Sequence, residues 1–168
     1  MDFALGVLVF VVSLAGGEPR DGGHVRTMDV RLRAGINEGM ARSSSFRDLV
    51  ARLDGSDVIV YVEPECPMSQ RLFGRLTFMA ASGGRRYVNV RIACGLNPDE
   101  QIAALGHELR HAVEIADAPS VVDVASLGEL YRRIGFASHG VPHGLGFESR
   151  AAIDTARRVW IQLGRAAE

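Results

Sequence analysis

The chain has 168 residues, 47% hydrophobic and 23% charged, which is enough apolar material for one core and too little length for two ordinary domains. Its 19 basic side chains, all arginine and scattered, face 20 acidic ones for a formal charge of -1. That balance excludes a strong field for phosphate backbones, so nucleic acid is not an expected partner.

Residues 3–12 form an apolar run, followed by small residues up to Gly17 and a polar, breaker-rich segment. This is the pattern of an export signal, and it is shorter than the roughly 20 apolar residues of a membrane span. Residues 1–17 are therefore expected to be a signal peptide, which makes the product periplasmic or secreted, or membrane-anchored if the segment stays uncut. Residues 18–42 are glycine-rich and mixed in charge, and are expected to be poorly structured, with a short strand where residues 28–32 alternate. Residues 43–168 are expected to form a single domain.

Within that domain Ser43-Ser44-Ser45 offers N-cap hydroxyls to a helix through Phe46, Leu49, Val50 and Leu53, with Gly55 at its C-terminal cap. Residues 58–62 are a β-branched strand stopped by Pro64 and Pro67. Residues 75–81 and 86–93 flank Ser82-Gly83-Gly84 and read as a hairpin. Asn97-Pro98-Asp99-Glu100 supplies a cap, a first-turn proline and first-turn acids to a helix ending near Pro119. A shorter helix is expected over residues 120–134, then a glycine-rich loop with His139 and His143, then a helix over residues 148–166. The fold class is α+β: a small, mostly antiparallel three-stranded sheet followed by a helical half. Cys66 and Cys94 are either a pair closing a long loop or two buried hydrophobes.

The capped helix contains His107-Glu108-Leu109-Arg110-His111, an H-E-x-x-H pattern. Four residues along a helix bring two side chains back to one face, so His107 and His111 can both donate imidazole nitrogen to one metal ion. Glu108 is offset and suited to take a proton from a water that the metal acidifies. A chance match has an expectation on the order of 0.01 in a chain of this composition. The helix is otherwise apolar, so these polar groups face a core that only a metal or other partners would make affordable.

A catalytic zinc needs a third protein ligand and an open position. The longer H-E-x-x-H-x-x-G-x-x-H motif fails, because Glu114 and Asp117 occupy its glycine and third histidine. Glu114 and Glu129 remain candidates, Glu129 also fitting a capping box with Ser126. So do His139 and His143, and Glu148 is favoured. The stripe Ala152, Ala156, Val159, Trp160, Leu163 on the last helix, extended four places back, lands on Glu148. A carboxylate at a helix start has the simpler alternative of stabilising the helix dipole.

With Glu148-Ser149-Arg150-Ala151 forming E-x-x-A, the pattern over residues 98–156 resembles the gluzincin zinc metallopeptidases of compact, minigluzincin type. The resemblance implies His107, His111 and Glu148 as Zn2+ ligands, Glu108 as general base, and a glutamate ligand carried on a second helix. Many relatives follow the alanine with an aspartate supporting the first histidine; Ala152 stands there in this chain. The family's sheet edge usually takes an extended peptide, and Tyr131, His139 and His143 are candidate oxyanion stabilisers. The expected function is zinc-dependent hydrolysis of a peptide or protein substrate. The alternative is a non-catalytic binding module that keeps the fold and metal site.

Overall fold

Residues 58–62, rich in β-branched side chains, form an inner strand of the sheet that is buried except at Tyr61. In the computed structural model, which describes residues 23–68, 72–138 and 146–165, they begin β2 (Val58–Glu65). The expected signal segment lies outside the described residues, as do His139 and His143. Before β2 come β1 (Val25–Arg26), α1 (Val30–Arg42) and α2 (Ser44–Asp54); after it come β3 (Gly74–Ser82) and β4 (Arg85–Ala93). The second half holds α3 (Pro98–Ala116), α4 (Val124–Ile134), β5 (Gly135–Ser138), β6 (Gly146–Ser149) and α5 (Arg150–Arg165). The class is α+β.

The sheet differs from expectation. Among the described residues it has four strands in the order β1-β2-β4-β3, and it is mixed: β1–β2 and β2–β4 are parallel, and β3–β4 is antiparallel. The Gly-Gly turn fixes the β3–β4 hairpin but not which of its edges takes β2. Burial decides that. Val58, Val60 and Val62 of β2 and Val88, Val90 and Ile92 of β4 are almost wholly buried, so the two most apolar strands lie side by side and the more exposed β3 is left at the edge.

Pro64 does not stop β2 but sits opposite Ile92 in the ladder. The Val60 N–H donates away from β4, to His24 O at 2.8 Å, and Pro64 has the same parity along the strand. Its missing N–H therefore falls on that side, where β1 pairs only as far as Tyr61. One step past the Glu65–Ala93 pair, Cys66 and Cys94 are joined in a disulfide, with Cα atoms 5.5 Å apart.

Residues 23–42 are not poorly structured. Asp29 accepts from the N–H groups of Arg31 and Leu32, both at 2.9 Å, and so caps α1 where alternation had suggested a strand. The glycines there serve close packing rather than disorder. A Cβ on Gly39 would lie 2.9 Å from Ile102 Cγ2 and 3.0 Å from the Phe46 ring, so α1 rests directly on α3 and α2.

α3 is the hub, packed against β2, β3 and β4 on one side and against α1, α2 and α5 on others. Its sequence signals hold: Asn97 and Glu100 form a capping box, and Ile102, Leu105, Leu109, Ala112 and Ile115 are fully buried. For α4 the cap is Asp123 with Ser126 at the third helical position, so the Ser126–Glu129 box is not formed and Glu129 is exposed. The inward stripe of α5 is Ala152, Thr155, Val159 and Leu163, and Trp160 is 48% exposed. No described helix is long and apolar enough to cross a membrane.

Candidate metal centre

The candidate metal group assembles from α3 and the hairpin β5–β6, which stands where a helix end, a loop and the start of the last helix were expected. Glu148 lies on β6, paired with Phe136 of β5, and not on the helix that follows. Helical periodicity thus pointed to a residue that does meet His107 and His111, but from a strand and not from a helix. The last helix starts at Arg150, and Ser149 takes the cap position, its Oγ accepting from the Ala152 N–H at 3.0 Å.

From that strand end the Glu148 carboxylate meets both histidines. Oε2 is 3.1 Å from His107 Nε2, and Oε1 is 3.3 Å from His111 Nε2. One donor atom from each of the three residues lies within 4.8 Å of the others, so the group can hold a metal ion. Two nitrogens and one carboxylate oxygen are donors suited to a borderline-soft divalent ion. The two rings stand nearly perpendicular, 4.9 Å apart between centroids. Glu129 is not part of the group. Glu114 sits behind His111, its Oε2 being 2.9 Å from Nδ1, the nitrogen turned away from Glu148.

The charges agree with this geometry. Burial pushes the Glu148 carboxyl up, but hydrogen bonds from His107 and His111 overcome it and hold the group well below the usual carboxylate range. Burial also disfavours the His111 imidazolium, yet Glu114 and Glu148 outweigh it and bring His111 up to about 9. Glu108 is 5% exposed, and burial raises its carboxyl, with partial opposition from His111 and His107. It belongs to none of the ligand contacts and lies against β3. A Cβ on Gly74 would be 2.8 Å from Glu108 Oε1 and 2.9 Å from its Cγ, so a residue without a side chain is needed for the strand to pass there.

A cleft of about 470 Å³ opens over the group. The edge of β3 from Gly74 to Phe78 forms one wall, Val124, Leu127 and Tyr131 of α4 form the other, and His107, Glu108, His111 and Glu148 line it. Tyr131 does not offer its hydroxyl to a reacting oxyanion: that group stands 2.8 Å from His111 Nδ1 and donates to Glu114 Oε2 at 3.1 Å. Sequence reasoning missed this role. The only available signal was Tyr131 on an inward position of a helix following the motif.

One consequence is a pH dependence of metal binding. A proton and a metal ion compete for His111, and in the metal-free protein the proton is held up to about 9. Affinity for a divalent metal ion at this group should therefore rise with pH through the neutral range and level off above about 9, with close to one proton released per metal at pH 7. Calorimetry in buffers of different ionisation enthalpy reads that proton directly; an enthalpy independent of buffer contradicts it.

Comparison of the chain with protein-family models, with curated proteins and with solved structures finds no match.

Proposed function

We propose that the chain is a small exported zinc-dependent peptidase acting on extended segments of peptide or protein. The observation that carries this reading is the convergence of His107, His111 and Glu148 at one point of a cleft, with the buried carboxyl of Glu108 beside them. Three N/O ligands with room for a fourth partner match the donor set of a catalytic zinc site. Zinc held there would supply a Lewis acid that polarises a carbonyl and acidifies water.

The remaining steps belong to the chain's own residues. Glu108 takes the proton from the attacking water and passes it to the leaving amine. Among the described residues β3 is hydrogen-bonded on one side only, to β4, so the backbone of its other edge offers the cleft a place for an extended peptide to add as a strand. The apolar walls formed by Leu76, Phe78, Val124 and Leu127 exclude water and favour apolar substrate side chains. The signal-like pattern of residues 1–17 and the Cys66–Cys94 bridge support an oxidising, extracytoplasmic setting.

Equilibrium dialysis against zinc, paired with hydrolysis of a denatured protein, tests the reading. Wild type should bind one zinc per chain, lose activity with chelator and regain it with zinc. Glu148→Ala, leaving two ligands, should bind zinc more than about 100-fold more weakly, beyond the 10–100-fold typical of losing an outer partner. Unchanged affinity in that variant sinks the ligand set. Zinc binding with saturable peptide affinity but no turnover would favour a non-catalytic binding module.

A further inference from the structure

We propose that Glu114 is a positioning residue for the metal group, holding two of its three members through its two carboxylate oxygens. The inference rests on the metal site proposed above. Glu114 is 6% exposed, lies one helical turn after His111 on α3, and touches none of the ligand atoms of the group. Burying a carboxylate costs several kcal/mol unless its lone pairs are well satisfied, so the distribution of its bonds is informative.

One oxygen serves His111. Glu114 Oε2 lies 2.9 Å from His111 Nδ1 and accepts from the Tyr131 hydroxyl at 3.1 Å, while that hydroxyl oxygen is itself 2.8 Å from Nδ1. An ionised carboxylate only accepts, and tyrosine has a single hydroxyl proton. With that proton on Glu114, both oxygens face Nδ1 as acceptors, so Nδ1 carries the ring's hydrogen. In the neutral ring the lone pair then lies on Nε2, the atom that faces Glu148 and the metal position.

The other oxygen serves the strand that carries Glu148. Glu114 Oε1 accepts from Ser149 Oγ at 2.6 Å, and that same Oγ accepts from the Ala152 N–H at 3.0 Å. The Ser149 backbone N–H donates to Glu148 Oε1 at 2.7 Å. Ser149 is thus fixed in three directions: by α3 through Glu114, by the first turn of α5, and to the neighbouring ligand. A single buried carboxylate therefore sets the ring of one ligand and the backbone position of another, on elements far apart in sequence. The H-E-x-x-H-x-x-E spacing places Glu114 on the motif's own face to do so.

A purely structural clamp would show the same bonds, so the test must read the metal. Glu114→Gln keeps the size and can still accept from Tyr131 and His111 while its amide donates to Ser149, but it removes the charge. In the full chain, zinc affinity measured by competition with a chromophoric chelator should fall about 10–100-fold. The visible absorption of the cobalt-substituted protein should shift in position or intensity, reporting altered ligand orientation. Tyr131→Phe removes one hydroxyl from an otherwise intact site, and should weaken zinc binding about 3- to 10-fold, the effect of one hydrogen bond. It keeps the inference testable if Glu114→Gln does not fold. Wild-type zinc affinity and an unchanged cobalt spectrum in the folded variants overturn the positioning role and leave the metal site standing. Wild type that binds neither metal overturns the site itself.

Discussion

If the proposed mechanism holds, Glu108→Gln should retain one zinc per chain and lower the hydrolysis of an unfolded protein by about 10²–10⁴-fold, with the loss in kcat rather than KM. The retained metal follows from the separation of roles: the ligand contacts run among His107, His111 and Glu148, and Glu108 takes part in none of them. The lost rate follows from chemistry that an amide cannot perform. Burial raises the Glu108 carboxyl above its ordinary value, even with His111 and His107 pulling it down, and a carboxylate closer to neutrality is a better proton acceptor. Glutamine is the informative replacement because it keeps the volume pressed against Gly74; alanine would add a cavity and confuse packing with chemistry. Equilibrium dialysis and steady-state kinetics on the same preparation decide the matter. Activity within about threefold of wild type would mean that no general base at this position is needed.

The parts of the fold legible in the sequence are those with local causes. Asn97, Pro98 and Glu100 announce α3 because a cap satisfies backbone groups only three residues away. Ser43 and Gly55 bracket α2 in the same way. The H-E-x-x-H pair is legible because one helical turn fixes its geometry before any tertiary contact exists. What was not legible depends on partners distant in the chain. The parallel pairing of β2 with β4 is a choice between two edges of a hairpin. Gly39 of α1 looks like a sign of disorder until Ile102 and Phe46 come within about 3 Å of where its side chain would be. β5 is too short to show a period, and without it Glu148 reads as the first residue of a helix. Glu114 illustrates the limit: the motif leaves it as one candidate ligand among several, and its actual bonds need Tyr131 and Ser149, which are 17 and 35 residues away.

Arg86→Ala should be the most destabilising single substitution outside the apolar core, at about 3 kcal/mol. The alternation that makes β4 a strand points Arg86 inward with Val88, Val90 and Ile92, and it is 3% exposed. The guanidinium grips Asp57 with two bonds, Nε to Oδ2 at 2.7 Å and Nη2 to Oδ1 at 2.6 Å. Its remaining donors close the C-terminus of α3: Nη1 reaches the carbonyls of Ile115 at 2.7 Å and Ala118 at 2.8 Å. Ile115 O lies in the last turn of the helix that carries His107 and His111, Ala118 O lies in the turn after it, and each also accepts a backbone N–H, from Ala118 at 3.1 Å and from Val121 at 3.0 Å. Removing the side chain takes the charged donor from both, beside the fully buried Ile115 and Val121, and hydrogen bonds to a charged group are worth about 1.5–3 kcal/mol. The Asp57 pair should matter less. The Arg86 hydrogen bond holds the Asp57 carboxyl below its ordinary range, but that side chain is 41% exposed and water recovers much of the interaction when it is lost. Asp57→Asn is therefore expected to cost about 1 kcal/mol. Arg86→Met should stay close to the alanine variant, since refilling the volume does nothing for the carbonyls. For a chain of this size the arginine variants should melt about 6–12 °C lower. Chemical denaturation of the metal-free proteins gives the order directly: equal losses for Asp57→Asn and Arg86→Ala would show that the ion pair, and not the helix-end clamp, is what holds α3 to the sheet.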